Sequence, residues 1–266
     1  MTTYDAIVLG AGAAGLFCAA TAGQRGKRVL LLDHNDEPGR KILISGGGRC
    51  NFTNLHTAPD RYLSTNPHFA KSALSRYGPR DFLSLVEAYG IAWHEKTLGQ
   101  LFCDGSARQI VAMLVDECAK GSVDIRYGAA AGEVEHRDGR FHLAGASAPA
   151  LVIATGGPSI PKLGASSYAY ELARRFGLKV VQPRPALVPL TLAGEDVLFR
   201  ELSGVSAEVV AKCGKAAFRE AALFTHRGLS GPAILQVSSY WQRGEDVRID
   251  FLPDNPRGWL LEAKRA

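Results

Sequence analysis

Gly10, Gly12 and Gly15 stand in a G-x-G-x-x-G spacing, and each has its own task in holding a dinucleotide. Gly10 permits a tight turn, Gly12 lets the backbone approach a pyrophosphate because it carries no Cβ, and Gly15 lets a helix pack closely on a strand. Ala13 and Ala14 open a helix whose free N–H groups and partial positive charge face the phosphates. Asp33 follows 18 residues after Gly15, where a carboxylate accepts hydrogen bonds from ribose hydroxyls. FAD and NAD both use this turn, so the spacing leaves the two open.

A second group follows the acid. Arg40, Lys41 and Arg49 bring three cations into one glycine-rich loop; with backbone N–H groups around Gly46, Gly47 and Gly48, they suit a bound anion. Asn51 donates and accepts, which suits a flavin ring edge or a backbone turn. Cys50 lies between Arg49 and Asn51, and a neighbouring cation lowers a thiol pKa. No C-x-x-C or C-x4-C pair is present, so Cys50 is read as a packing or flavin-adjacent thiol ahead of a reactive one. Thr155, Gly156 and Gly157 follow an apolar strand, at a plain turn or at a close approach to the cofactor.

His226 precedes Ser230 and Pro232, read together as a helix start. It is a candidate proton donor or a loop hydrogen-bonder. The other histidines have no metal-ligand spacing, and no metal is expected. A nucleophile elbow, a Walker A motif and a second G-x-G-x-x-G are all missing. No catalytic residue is assigned, because a flavin carries redox chemistry in its own ring.

The elements that must position these residues follow from the apolar runs. Residues 4–9 and 27–33 read as buried strands flanking an Ala-rich helix at 13–25, the pattern of a parallel sheet covered on both faces. Asn66-Pro67 and Gly78-Pro79 read as helix starts, the second helix ending at Gly90. Ser106 caps a helix that runs to Lys120 and closes at Gly121. Asp138-Gly139 predicts a hairpin between 130–137 and 140–143. Residues 150–154 read as a buried strand, and 166–176 as a helix ending at Gly177. Pro183, Pro185 and Pro189 mark a crossing between domains. Beyond them, strands are expected at 204–213, 216–225 and 246–252, a helix at 231–242, and a helix start after Pro256.

Composition sets the bounds. The chain has 266 residues, 46% of them hydrophobic, and a net charge of +5 without any Lys/Arg-rich run, so nucleic acid is not expected as a partner. Five cysteines, an odd number, point to free thiols and a cytoplasmic protein. The uncharged segment Ala6–Gln24 is broken by glycine turns and lacks a basic flank, so it is not read as a membrane span or signal.

Three stretches carry a resemblance: Gly39–Asn54 (GRKILISGGGRCNFTN), Leu151–Pro161 (LVIATGGPSIP) and Leu223–Leu235 (LFTHRGLSGPAIL). With the N-terminal fingerprint, the chain resembles the BaiN-like family of bacterial NAD(P)/FAD-dependent oxidoreductases, also catalogued as aminoacetone-oxidase-family enzymes. The resemblance implies an α/β glutathione-reductase-type FAD-binding fold, with parallel sheet, helices and β-meander, interrupted by an inserted β-rich domain. The FAD-binding domain is expected at 1–184 and the N-terminal part of the inserted domain at 185–266. Family members are longer. Their final segment brings a last strand and a glycine-rich turn beside the flavin, so this chain is expected to be truncated or completed by a partner. The resemblance also implies that Val134 backbone groups meet the adenine, and that NAD(P)H is a candidate electron donor.

The expected function is an FAD-dependent oxidoreductase acting on a small organic substrate, with neither nucleic acid nor membrane as partner. The readings kept beside it are an NAD-dependent dehydrogenase and a non-catalytic nucleotide-binding chain. An RNA-modifying flavoprotein ranks below these, because the only basic cluster is assigned to the cofactor.

Overall fold

A computed structural model describes residues 1–192, 200–255 and 258–265. It divides into two compact units, Met1–Val180 and Val181–Ala266.

The first unit opens with β1 (Thr2–Thr3) and β2 (Ala6–Leu9). The chain turns at Gly10 into α1 (Ala13–Gln24) and returns as β3 (Val29–Leu32), every residue of which is buried. Next come α2 (Arg40–Ile44), β4 (Asn51–Asn54), α3 (Lys71–Arg76) and α4 (Pro79–Ala88). They are followed by β5 (Trp93–Glu95), β6 (Gln100–Cys103), α5 (Ala107–Lys120) and β7 (Asp124–Arg126). The unit ends with β8 (Glu135–Arg137), β9 (Arg140–Leu143), β10 (Ala146–Ala148), β11 (Ala150–Ile153) and α6 (Tyr168–Arg175).

The central sheet runs β11-β2-β3-β7, all parallel. Alternation along its strands sorts the core into two layers. Val8, Val29 and Leu31 face α1 and α5, packing on Leu16, Ala19, Ala20, Met113 and Leu114. Ile7, Leu9, Leu30 and Leu32 face the other way, onto Val134, Leu143, Ala146, Ala148 and Leu172. Each fully buried leucine contributes roughly 2 kcal/mol. The two helices approach closely where Gly23 meets Gly121: a Cβ on Gly23 would lie 2.5 Å from the Gly121 carbonyl oxygen. The antiparallel strands β10-β9-β8 form the β-meander over the second layer, with β1 pairing parallel to β10. A small sheet β4-β6-β5 stands apart from the parallel one.

Most expected elements form, and the differences have local causes. Ser106 caps α5 as expected, accepting from Arg108 N (3.2 Å). Asp138 and Gly139 both take positive φ, 50° and 69°, which the hairpin turn requires. Residues 130–134 are not strand, and β8 begins only at Glu135. Just before them Gly128 N and Ala129 N donate to Asn35 and Asp33 carbonyls (2.9 and 2.8 Å), so that stretch is tied to the end of β3. The helix expected from Pro67 starts at Lys71, because the Asn66 side chain accepts from His68 N (3.0 Å) and closes a turn. β11 is half-buried where a buried strand was expected, since it lies at the edge of the parallel sheet. Inside the glycine-rich stretch the structure folds a short helix, α2.

The second unit holds β12 (Leu190–Thr191), β13 (Ser206–Cys213), β14 (Ala216–Thr225), β15 (Gly228–Ser230), α7 (Pro232–Ser238), β16 (Arg248–Asp250) and α8 (Trp259–Arg265). Its sheet is antiparallel in the order β12-β15-β14-β13-β16. α7 packs Ala233, Ile234 and Val237 against Val209, Ala211, Phe224 and Leu229. The helix expected at 231–242 ends at Ser238. Ser230 is not its cap but a strand residue paired with Leu223. Gly231 holds the cap position at φ 91°, where a Cβ would lie 2.7 Å from the Ala221 oxygen. Pro256, expected to precede a helix, lies outside the described residues, as do Arg257 and Ala266. Among the described residues no helix is long and apolar enough to cross a membrane; Ala6–Gln24 is β2 and α1.

Candidate functional site

The site forms at the carboxyl ends of β2, β3 and β11, the place where open parallel sheets bind ligands. Gly10, at φ 102°, donates its N–H to Leu32 O (2.7 Å). It passes so close to the end of β11 that a Cβ would lie 2.5 Å from Ala154 O. Gly15 is tighter still, with a Cβ position 1.8 Å from Gly10 O. These two glycines are demanded by packing within the fold, Gly10 against the end of β11 and Gly15 against the turn itself. Gly12 differs. Its φ is an ordinary −83°, and a Cβ there would meet nothing within 4 Å. It is the residue of the fingerprint whose missing side chain leaves room for something outside the fold. Ala13 and Ala14 are exposed in the first turn of α1, which carries no side-chain cap and no acidic residue. The positive end of that helix dipole therefore faces open surface.

Asp33 is a buried carboxylate, 8% exposed, at the end of β3. One oxygen accepts from Ala11 N (2.6 Å), the other from Asn35 N and Asn35 Nδ2 (2.8 and 2.9 Å). It fastens the glycine turn to the following loop while keeping lone pairs for further donors. That loop returns to the turn at Gly39, in the left-handed region at φ 69°, which donates to Ala11 O (2.8 Å). Arg40 then donates to Asn35 Oδ1 (2.6 Å). Lys41 reaches across to the segment after β11, donating to Ser159 Oγ (2.8 Å) and Gly157 O (3.3 Å). The fingerprint, the GRK segment and the TGG segment, far apart in sequence, are thus joined by direct hydrogen bonds. Neither Gly39, Asn35 nor Ser159 was singled out from sequence. Only the left-handed demand at Gly39 has a sequence signal, its glycine.

Gly46, Gly47 and Gly48 take φ 57°, 67° and 87° in succession, a run only glycine adopts easily. Gly46 is packed on Phe102, its Cβ position 2.7 Å from the ring, whereas nothing lies within 4 Å of that of Gly47. Arg49 is exposed, and its side chain has no ion-pair or hydrogen-bond partner among the described residues. Asn51 turns its amide toward Leu101 O (3.3 Å) and Thr53 O (3.1 Å). Cys50, also left-handed at φ 52°, is buried. Burial pushes its thiol pKa up despite a hydrogen bond from Ser45 that lowers it, so the thiol form dominates and the adjacent arginine does not activate it.

Thr155 follows β11 with its Oγ1 buried and without a hydrogen-bond partner among the described residues, beside Gly156 at φ 73°. Val134 is buried in the second core layer, and its carbonyl accepts from Arg175 (3.4 Å). His226 lies in the second unit, exposed in the turn between β14 and β15. The open face of Gly12, the uncapped helix end and the orphaned Thr155 hydroxyl are chemically suited to a dinucleotide, so the residues present fit the group.

Comparison with known proteins agrees with the Rossmann-type fold. A family model described as HI0933-like protein Rossmann domain matches residues 4–232. A ribosomal RNA dihydrouridine synthase of Escherichia coli is 56% identical, covering 100% of this chain and 68% of that protein. A Haemophilus influenzae protein of the same name is 51% identical, covering 96% and 66%. A 3-dehydro-bile acid delta(4,6)-reductase of Clostridium scindens is 30% identical, covering 93% and 64%. The chain spans about two thirds of the length of these relatives.

These relatives correct the expectation of a small-molecule substrate without nucleic acid. The two that are more than half identical to this chain over the aligned residues are named for a reaction on ribosomal RNA. The expectation rested on the lack of a contiguous basic run, but a folded surface collects its cations from separate segments, so run length says little about RNA.

Proposed function

We propose, from the premise that this chain belongs to the HI0933-like family of FAD oxidoreductases, that it carries the flavin-binding part of an enzyme reducing uridine to dihydrouridine in ribosomal RNA. The observation that carries this reading is the 56% identity to an enzyme of that name along the whole chain. Dihydrouridine differs from uridine by one hydride and one proton added across the C5–C6 double bond, and the base must leave its stack to receive them. Bound FAD supplies the hydride from its reduced ring.

The chain's own residues hold and orient that group. Gly12 and the N–H groups of Ala13 and Ala14 at the start of α1 take the pyrophosphate. Asp33 takes the ribose, and backbone groups of Val134 take the adenine. Gly47, Gly48, Arg49, Cys50, Asn51, Thr155 and Gly156 are the residues that would hold the ring. Arg40 and Lys41 keep these segments in register through Asn35, Gly157 and Ser159. NAD(P)H is the proposed source of electrons, docking transiently, since the sequence has one G-x-G-x-x-G and no second. An RNA substrate of this kind places the enzyme in the cytoplasm.

The test uses ribosomal RNA from cells deleted for the gene, incubated with the full-length protein, FAD and NADPH, then digested and read by mass spectrometry. Dihydrouridine is expected only when all components are present. NADPH oxidation without dihydrouridine in the RNA would overturn the proposal.

A further inference from the structure

We propose that residues 59–77 form a docking surface for single-stranded ribosomal RNA, with unpaired bases stacking on Tyr62 and Phe69 and phosphates meeting Lys71 and Arg76. The proposal rests on the functional reading above and adds where the RNA sits.

The first observation is exposure. Tyr62, Leu63 and Phe69 are 45%, 52% and 71% exposed. Single apolar residues on a surface need no explanation, but one segment that exposes three within eight positions is more than a scatter of singles. Tyr62 and Leu63 line a groove of about 590 Å³ together with Pro59, Asp60, Pro67 and Lys71. That volume admits a nucleotide, and its walls are largely apolar with a cation at one side.

The second observation is charge. The segment holds Arg61, Lys71 and Arg76 against Asp60. Asp60 lies 3.7 Å from Arg61 Nε, and both are exposed, so this pair holds little energy and exchanges readily for a phosphate. Lys71 and Arg76 have no ion-pair partner among the described residues. Aromatic faces interleaved with unpaired cations match unstacked bases joined by phosphates. An apolar protein partner would leave these cations uncompensated.

The third observation is location. The segment is rooted on the cofactor helix: Tyr77 packs on Phe17 of α1, ring centroids 4.9 Å apart, and Ala70 is buried. The patch therefore belongs to the same body as the dinucleotide turn. The hydrogen bonds of Phe69 N to Asn66 O (3.1 Å) and His68 N to Asn66 Oδ1 (3.0 Å) hold the intervening turn in shape.

The test measures affinity of the full-length, FAD-loaded protein for a ribosomal RNA fragment by filter binding over a range of salt. The variants are Tyr62→Ala with Phe69→Ala, and Lys71→Glu with Arg76→Glu. The aromatic pair is expected to weaken binding about ten-fold or more. The charge pair should reduce the slope of log affinity against log salt by about 2. Both should keep their flavin absorbance. If wild type binds RNA and neither pair changes affinity or slope, the surface is elsewhere and the proposal fails. Loss of flavin together with RNA would assign the segment to the fold and equally defeat it. Wild type failing to bind RNA at all would count against the functional reading itself.

Discussion

At the residue scale, the three fingerprint glycines separate into two kinds. Gly10 is fixed by the end of β11 and Gly15 by the Gly10 carbonyl, whereas Gly12 meets nothing among the described residues. Gly12→Val is therefore expected to lower the melting temperature of the flavin-free protein by only a few degrees, the cost of a branched residue at the N-cap of α1, and to lose FAD, read by absorbance after desalting. Gly15→Ala is expected to lose about 1–3 kcal/mol of stability in denaturant titration, since its Cβ must displace the Gly10 carbonyl. A Gly12→Val protein with unchanged FAD affinity would remove the pyrophosphate from this turn. Cys50 gives a second prediction. With its pKa raised by burial, it should react slowly with a thiol reagent at neutral pH, and fast labelling of this residue would show an activated thiolate instead. The sequence ranks the packing or flavin-adjacent reading of Cys50 ahead of the reactive one; burial, which no local pattern encodes, weighs the same way.

At the element scale, α5 organises one face of the parallel sheet, and its ends are set by side chains. Ser106→Ala removes the cap and should cost about 1 kcal/mol in chemical denaturation. Near its other end, Glu117 accepts from Lys120 Nζ (2.8 Å), from Tyr89 after α4 (2.6 Å) and from Gln24 at the end of α1 (2.8 Å). Burial alone would raise its pKa, but these donors outweigh burial and hold it at about 2. Tyr89 is correspondingly pushed up to about 12, by burial first and then by its bonds to Asp116 and Glu117. A carboxyl with a depressed folded pKa stabilises fully above its unfolded value, near 4.5, and loses that contribution as pH falls toward 2. Glu117→Gln should therefore destabilise at pH 7 and differ progressively less from wild type between about pH 4.5 and 2. An unchanging difference across that window would exclude Glu117 as the source.

At the scale of the whole molecule, the chain is two bodies joined by a run, 181–186, without regular structure and exposed throughout. From Leu187 onward the backbone is tied to the second unit, through Ser239 and Ser238 hydroxyls at 3.1 and 2.9 Å. Limited digestion with a non-specific protease should cut first within 181–186 and leave a fragment of the first unit. Early cutting inside β2, β3 or α5 would contradict the division. The βαβ start, the cap at Ser106, the hairpin at Asp138-Gly139 and the fingerprint were all legible in the sequence. The cap and the hairpin depend on residues within a few positions of one another, the βαβ start and the fingerprint on one continuous stretch of about thirty residues, and all on backbone demands that only certain residue types meet. What the sequence left open was long-range. It did not show that Lys41 ties to Ser159, that Gly39 ties to Ala11, that residues 130–134 leave the strand, or that a patch at Tyr62 and Phe69 stays uncovered. Those contacts join segments whose local patterns carry no record of each other, so only the packing of the sheet, its two layers and the loops at its carboxyl edge decided them.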